Sequence, residues 1–421
     1  MNLFVNQKLD NYCIPFFLFC VLACGDRGSI FRPLLTYGFP ILLIYRSVVS
    51  KRYIAFKISK SSVNSLRVLI LMYVLWVLIS SFLSSNVLNS LYYLNKLIIF
   101  LTIVYIMYLW LDSSSKYLIL INFCCYAGFF VATFILLQYI LVNIGILSME
   151  SDRIAGVYSN VNTGGFVMSM ISLLNYYMYL ITKKNIYLIL MLYCFISVFC
   201  TGSRAALLVF FIAFFVAYFR RKIPIRVFVV FVFFFIGILL FLVFKMNDLQ
   251  LLFRAENGTA GRDYLWIVAL QIIEDHFFVG IGVGNLKEIG TVYLTNLPLI
   301  SDWERDALLE HAVQSSHNMY LETFVDTGII GLILYLFIYF QIMFQYVKGL
   351  KSRLYMNKQL SYLLLGMILG VAFRGLFESN GFLCKGWLNV DLMFWVFFVL
   401  YKRKYLLNYL YVNSDNLSTI R

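Results

Sequence analysis

Residues 201–219 read TGSRAALLVFFIAFFVAYF. After the short polar turn TGSR, the segment is almost wholly apolar, and similar apolar runs recur along the chain. A helix that crosses a bilayer needs about 20 mainly apolar residues. The whole chain is 62% hydrophobic and 13% charged, which excludes an ordinary soluble protein. The sequence therefore predicts an all-α, polytopic integral membrane protein.

About twelve transmembrane helices are predicted, with one large loop between the ninth and the tenth. The predicted spans are 12–25, 31–46, 66–83, 93–111, 117–147, 165–182, 185–200, 205–219, 227–244, 323–346, 359–377 and 386–401. Residues 1–244 would hold nine transmembrane helices, 245–322 the loop, 323–405 three more helices, and 406–421 a polar tail.

The net charge of +14 follows the predicted topology. Lys and Arg concentrate in alternate short loops, as the positive-inside rule requires of cytoplasmic loops. The strongest clusters lie in 46–67, 183–184, 220–226, 348–358 and 402–404. Both termini are therefore expected in the cytoplasm and residues 245–322 in the periplasm. Nucleic acid is not needed as a partner to explain the basic charge.

The long loop 245–322 is acidic and is expected to be structured. Apolar residues at helical spacing predict a helix over 262–275. A glycine turn, HFFVGIGVGN (276–285), follows, then an irregular section to 312 and a helix that starts near Ser315. The polar loop 148–165 and the turn 201–204 fall on the same face of the membrane, so the chemistry-bearing residues are expected there.

Arginines at this face are candidate ligands for phosphate. Arg204 follows a Gly-Ser turn and opens an apolar helix, and a helix N-terminus with a guanidinium beside it suits an anion. The alternative is that Arg204 only reaches the headgroup level of the bilayer. Arg262 and Arg254 lie near Gly258 and Gly261, and Arg153 lies in DRIAGVYSN. An exposed loop arginine is more often simply solvated.

His317 is the candidate general base. It follows Ser315 and Ser316, either of which could cap the coming helix, and a helix start favours the neutral imidazole that a base needs. The alternative is a hydrogen-bonded histidine without a chemical role. Asn318 beside it is a candidate substrate ligand, whereas His276 and His311 are interpreted as structural.

Two further motifs predict no site. GIGVGN (280–285) lacks the strand and helix of a dinucleotide-binding unit, so it is interpreted as a tight turn. The acidic string DWERD (302–306) has no second carboxylate cluster beside it and is interpreted as a solvated loop. No metal and no cofactor are expected.

Taken together, these motifs resemble the O-antigen ligase and O-antigen polymerase superfamily of bacterial membrane enzymes. The resemblance rests on TGSRAALL (201–208), the Arg262 to Trp266 spacing, the glycine turn, and SHNMYLETFVDTGIIG (316–331). RIAGVYSNVN (153–162), which contains Asn160, also fits, as does the one large loop before the last three spans. The motifs cover about 150–345, and the first 145 residues are similar only in topology.

The resemblance implies an inverting glycosyltransferase of GT-C type in the bacterial inner membrane, with its active site facing the periplasm. The donor would be an oligosaccharide on undecaprenyl diphosphate, which needs no metal. Arg204 and Arg262 would hold the diphosphate and His317 would assist the acceptor hydroxyl. Arg153, Arg254, Asn318 and Asn160 would bind substrate. Membrane lipids are expected partners, and a chain-length regulator and other polysaccharide-assembly proteins are candidate ones.

Several functions remain open at this stage. A polymerase would extend the glycan on a lipid-linked repeat unit, and a ligase would move the finished chain to the lipopolysaccharide core. The Phe-, Ile-, Tyr- and Asn-rich composition favours the polymerase. A lipid-linked oligosaccharide flippase or another transporter would place polar residues mid-membrane, where Lys96, Arg374 and Asp391 are the candidates. A purely structural membrane protein does not account for the loop 245–322.

Overall fold

The computed structural model describes residues 7–25, 37–38, 40–43, 63–147, 154–219, 262–296, 315–383 and 388–407. Within these ranges the structure contains helices and no strand, which confirms the all-α prediction. The helices are α1 (Gln7–Cys24), α2 (Val63–Phe82), α3 (Val87–Trp110), α4 (Ser114–Asn143), α5 (Val161–Thr182), α6 (Asn185–Thr201), α7 (Arg204–Phe219), α8 (Arg262–Asp275), α9 (Leu286–Thr295), α10 (Met319–Gly349), α11 (Tyr355–Arg374) and α12 (Leu388–Lys402), followed by a 3-10 helix (Lys404–Leu407).

Within the part of the chain that the structure describes, five helices are long and apolar enough to cross a membrane. They are Ser65–Phe82 of α2, Val87–Trp110, Ser114–Asn143, Val161–Thr182 and Met319–Gly349. Asn11–Cys24, Asn185–Thr201 and Arg204–Tyr218 are shorter apolar helices. The chain is therefore a multi-pass membrane protein. The count of twelve spans and the GT-C arrangement stay predictions, because the predicted span 227–244 lies outside the described residues and 31–46 lies mostly outside them.

Helix α5 occupies the centre of the bundle. In its most apolar stretch, 89% of the residues are buried. The helix packs against α4, α6, α7, α11 and α12. By contrast, α2 exposes large apolar side chains such as Leu71 and Leu75, as expected of a helix that faces lipid. Because α5 is packed on all sides, the residues at its start have a fixed position at one end of the bundle.

The two ends of the bundle differ in chemistry. We call the end that holds the starts of α5, α7 and α10 and the end of α11 the polar end. The opposite end, which holds the start of α2 and the ends of α3, α10 and α12, is called the basic end. Two contacts show which helix ends lie together at the basic end. Gln341 of α10 donates to Ser65 Oγ of α2 over 2.8 Å, and Arg403, directly after α12, donates to the Tyr108 carbonyl of α3.

Helix α10 is broken at Gly328, whose φ of 68° and ψ of −174° are not helical. The break leaves backbone groups without helical partners, and a buried group of this kind is costly unless it is bonded elsewhere. The glycine turn after α8 supplies the partners. Three backbone hydrogen bonds join the two: Ile281 N to Val325 O (2.9 Å), Gly282 N to Asp326 O (3.0 Å) and Ile329 N to Phe277 O (2.9 Å).

The tight turn predicted for 280–285 is confirmed, and Gly280, Gly282 and Gly284 all have positive φ. Two other expectations for this region are wrong. Part of the section expected to be irregular is helix α9 (Leu286–Thr295). Neither Ser315 nor Ser316 caps α10, because Asn318 does so, accepting from Tyr320 N over 3.0 Å and Leu321 N over 3.1 Å.

Replacing Gly328 by alanine is expected to lower the thermal midpoint of the protein strongly. A Cβ there would lie 2.2 Å from the Phe278 carbonyl oxygen and 2.5 Å from Val279 N. Gly145 is a matched control, since its φ is also positive, at 75°, but a Cβ there would meet nothing within 4 Å. Thermal unfolding of the purified protein in detergent checks the pair. Equal shifts for Gly328→Ala and Gly145→Ala would show that the close contact between Gly328 and the glycine turn contributes nothing beyond backbone strain.

Candidate functional site

A buried carboxylate at the polar end, Glu378, gathers side chains from three distant parts of the chain. Its Oε1 accepts from Asn162 Nδ2 over 2.6 Å and from Arg262 Nη2 over 3.1 Å. His317 Nδ1 lies 3.9 Å from its Oε2. The Glu378 side chain is 5% exposed, whereas Arg262 and His317 are 23% and 30% exposed. The site therefore has a buried carboxylate, Glu378, and two partly exposed side chains, Arg262 and His317, that a ligand can reach.

Glu378 is ionised because its hydrogen-bonding and charged neighbours outweigh its burial. Burial raises the pKa of a carboxyl group, but the interactions with His317, Arg374 and Arg262 together lower the pKa of Glu378 below its ordinary value. A buried charge needs such partners. A fixed negative charge thus lies beside Arg262 and His317 at neutral pH.

Helix α8 connects the loop before α10 with the loop after α11. Arg262 and Trp266 are one helical turn apart, so they project from the same face. Arg262 Nη1 donates to the Phe377 carbonyl over 2.6 Å, and Trp266 Nε1 donates to the Ser316 carbonyl over 3.0 Å. The spacing of this arginine and tryptophan in the sequence is therefore explained by docking of α8 onto both loops.

His317 lies just before α10, and not in its first turn as expected. Its φ is 49°, a left-handed conformation that is uncommon for a residue with a side chain. Buried Glu322 holds the preceding residues, accepting from Ser316 N over 2.7 Å and Ser316 Oγ over 2.8 Å. The orientation of His317 is therefore set by this network. With Nδ1 nearer to Glu378, Nε2 is the nitrogen left for a substrate.

Asn318 and Asn160, both expected to bind substrate, are helix caps in the structure. Asn318 caps α10 and also donates to the Leu376 carbonyl over 3.3 Å. Asn160 caps α5, where its side chain accepts from Asn162 N over 2.7 Å. Both residues position the site: Asn160 fixes the turn that carries Asn162, and Asn318, directly after His317, joins the start of α10 to the Leu376 carbonyl.

Arg204 begins α7 at the polar end, as predicted. Helices α7 and α11 are antiparallel, since Gly366 packs against Ala213 and Gly370 packs against Val209. Continuing this register places Arg204 level with Gly375, next to the end of α11. The side chain of Arg204 is exposed. It therefore lies at the same level of the bundle as the loop that carries Glu378.

Arg374 and Asp391 shape that loop. Arg374 is fully buried, and its guanidinium donates to the Asn380 backbone carbonyl and, over 2.7 Å, to Asn380 Oδ1. Asp391 Oδ1 accepts from Gly381 N over 2.7 Å. The two charges that suggested a transport path thus hold the segment between α11 and α12. Lys96, the third, lies over the rings of Tyr92 and Tyr93.

Neither Glu378 nor the contact that Asn162 makes with it is among the predictions from the sequence. Glu378 stands in FESNG with no motif around it, and the signal that could have indicated it was a single acid immediately after a predicted span. Arg153, Arg254, His311 and DWERD lie outside the described residues. His276 is exposed on the turn after α8 and is not part of the Glu378 cluster.

The fold and the site define a polytopic membrane protein with an arginine, a histidine and a carboxylate gathered at one end. Residues 188–336 match the family model described as O-antigen ligase. This match, which includes Arg204, Arg262 and His317, confirms the resemblance to the O-antigen ligase and polymerase superfamily, whose members are glycosyltransferase-like membrane enzymes that act on lipid-linked oligosaccharide. No curated relative matches the chain.

Proposed function

We propose that this protein is an O-antigen polymerase of the bacterial inner membrane. In this proposal it transfers a glycan from undecaprenyl diphosphate to a lipid-linked repeat unit at the periplasmic face, with inversion at the anomeric carbon. The observation that carries the proposal is the convergence of Arg262, His317 and Asn162 on Glu378. An arginine, which we propose as a phosphate ligand, thus lies beside a histidine, which we propose as a base, at one end of a membrane bundle.

The reaction breaks the bond between the anomeric carbon and the diphosphate oxygen and forms a bond to the acceptor hydroxyl oxygen. Charge develops on the leaving diphosphate, so fixed cations close to it lower the barrier. Arg262 uses two of its five N–H donors on Phe377 and Glu378, which leaves donors for phosphate. Arg204, level with this loop, is the second proposed phosphate ligand. Arg153 and Arg254 are proposed as further ones.

His317 is proposed to accept the proton of the acceptor hydroxyl through Nε2. The Glu378 carboxylate near Nδ1 favours the proton on that nitrogen and stabilises the imidazolium that forms in the transfer. Base assistance of this kind contributes about 10²–10⁴-fold. Glu378 is therefore proposed as a positioning residue that serves both the base and the phosphate ligand.

A flippase is less well supported than an enzyme. Transporters place exposed ionisable groups near the membrane midplane, but here Arg374 and Asp391 bond the loop that carries Glu378. These two side chains hold residues close to Glu378 in place through hydrogen bonds. Within the described residues, the structure therefore assigns two of the three mid-membrane candidates to the architecture of that site.

Lipopolysaccharide profiling of a strain that lacks this gene distinguishes polymerase from ligase. We expect core bearing a single repeat unit, because units would still be ligated but not joined to one another. Core alone, together with accumulating lipid-linked polymer, would instead identify the ligase. A normal ladder of chain lengths would contradict both activities. Complementation with the wild-type gene must restore the ladder.

A further inference from the structure

Three cations from separate elements lie together at the basic end: Arg67 of α2, Lys402 of α12 and Lys404 of the 3-10 helix. Tyr105 and Tyr108 of α3 fix this arrangement, since they are one turn apart. Arg67 Cζ lies 5.6 Å from the centroid of the Tyr105 ring, and Arg403 Cζ lies 4.1 Å from that of Tyr108. The last turns of α3 thus bring Arg67 beside the segment 402–404. We call Arg67, Lys402 and Lys404 the cationic cluster.

The members of the cationic cluster are partly buried and packed on aromatic rings. Lys402 Nζ lies 5.5 Å from the centroid of the Phe398 ring, and Lys404 Nζ lies 3.6 Å from that of Tyr401. Cations over ring faces at these distances are attracted by the ring electrons. The aromatic rings therefore keep the charged ends of these side chains near one another, so that the side chains do not extend into solvent.

No carboxylate in the described part of the chain neutralises the cluster. Among the acidic side chains that the structure describes, Asp112 alone lies at the basic end, and it pairs with Lys116 over 2.9 Å. Within the cluster, Arg67 acts on Lys402 and Lys402 acts on Lys404 with like charge. Burial and then the charge of Lys402 lower the pKa of Lys404 to about 8. Like charges in a partly dehydrated place favour binding of an anion.

Arg403, between the two lysines, has a different role. Its Nε and Nη2 donate to the Tyr108 carbonyl over 3.1 and 2.9 Å, and its Nη1 donates to Tyr405 Oη over 2.7 Å. It thereby satisfies a carbonyl near the end of α3. Arg403 fixes the segment, and the charges of Arg67, Lys402 and Lys404 remain for a ligand.

We propose that the cationic cluster binds the phosphate of an anionic phospholipid, on the membrane face opposite the Glu378 site. The cluster lies at the ends of α2, α3 and α12, of which α2 and α3 are long and apolar enough to cross a membrane. This is the level of lipid headgroups, and basic pockets between helices bind such headgroups. On α2, Val68 and Leu71 next to Arg67 are 53% and 61% exposed, so an acyl chain has apolar surface beside the phosphate. A soluble phosphate would not use that surface.

Native mass spectrometry of the full-length protein tests this proposal. The protein is delipidated in neutral detergent and titrated with phosphatidylglycerol or with phosphatidylcholine. We expect one tightly bound phosphatidylglycerol, a higher thermal midpoint, and no comparable effect of phosphatidylcholine. Replacing Arg67, Lys402 and Lys404 by glutamine is expected to weaken binding by roughly 100-fold, from about 1 kcal/mol for each charge near a membrane surface.

The matched control is the triple variant Lys351→Gln, Arg353→Gln, Lys358→Gln, which removes three charges from the same end and should keep the lipid. The single variant Lys404→Gln, outside the membrane helices, should weaken binding several-fold and tests the site if the triple variant does not fold. Equal losses in the two triple variants would overturn the proposal in favour of diffuse attraction. Equal stabilisation by glycerol 3-phosphate would overturn it in favour of a soluble anion.

Discussion

Arg262→Ala is expected to reduce glycan transfer by about 10²–10³-fold or more, the usual cost of removing one fixed donor from a developing negative charge. The variant loses a candidate phosphate ligand. It also leaves Glu378 without the partner at 3.1 Å, so the site loses both charge and order. Transfer is measured with purified protein and a lipid-linked repeat unit, per mole of folded protein by size-exclusion chromatography.

Controls separate charge from geometry at this position. Arg262→Lys keeps the charge but not the planar fork, so it should recover only a small part of the activity. Arg353→Ala removes an exposed arginine at the basic end and should leave transfer unchanged.

Arg204→Ala is expected to lose activity to an extent similar to that of Arg262→Ala. Wild-type transfer by Arg204→Ala would mean that Arg204 only reaches the headgroup level.

His317→Ala is expected to reduce turnover by about 10²–10⁴-fold while binding of the lipid-linked donor is kept, because arginines carry that binding. His276→Ala is the matched control, since His276 lies at the same end but outside the Glu378 cluster, and its effect should be small. Turnover and donor binding are measured separately on each variant. A His317→Ala protein that elongates glycan normally would leave arginine electrostatics and proximity as the whole mechanism.

Glu378→Gln provides a second readout of the same unit. Glutamine keeps hydrogen-bonding capacity for Asn162 but removes the charge near His317 Nδ1, so turnover should fall. Because Glu378 acts partly through His317, the double variant His317→Ala, Glu378→Gln should lose less activity than the two single losses combined, as groups that act as a unit are not additive. Additive losses would show that Glu378 serves Arg262 and not the histidine.

The sequence was sufficient for the parts of the molecule that depend on local pattern. Apolar runs predict the helices, and α8 over Arg262–Asp275 has the predicted bounds. The positions of Arg204, Arg262 and His317 at one end followed from topology and charge. The glycine turn is predicted from its sequence, but its hydrogen bonds to the break at Gly328 join residues 44 to 52 positions apart along the chain.

The central position of Glu378 in the site could not be predicted because it depends on tertiary contacts. Glu378 is 216 residues from Asn162 and 116 from Arg262 along the chain, and no spacing rule connects them. The proposed substrate contacts of Asn318 and Asn160 stay predictions. Both residues also cap helices, a role that an asparagine before an apolar helix commonly has.

The proposed function requires that the polar-end cluster catalyses glycan transfer. Purified wild-type protein in vesicles, supplied with undecaprenyl-diphosphate-linked repeat units, tests it most directly when products are resolved by length. We expect a ladder of extended lipid-linked glycans with wild type, its near absence with Arg262→Ala, and a full ladder with Arg353→Ala. Movement of the lipid-linked units across the vesicle membrane without any extension would contradict the proposed function and identify a transporter.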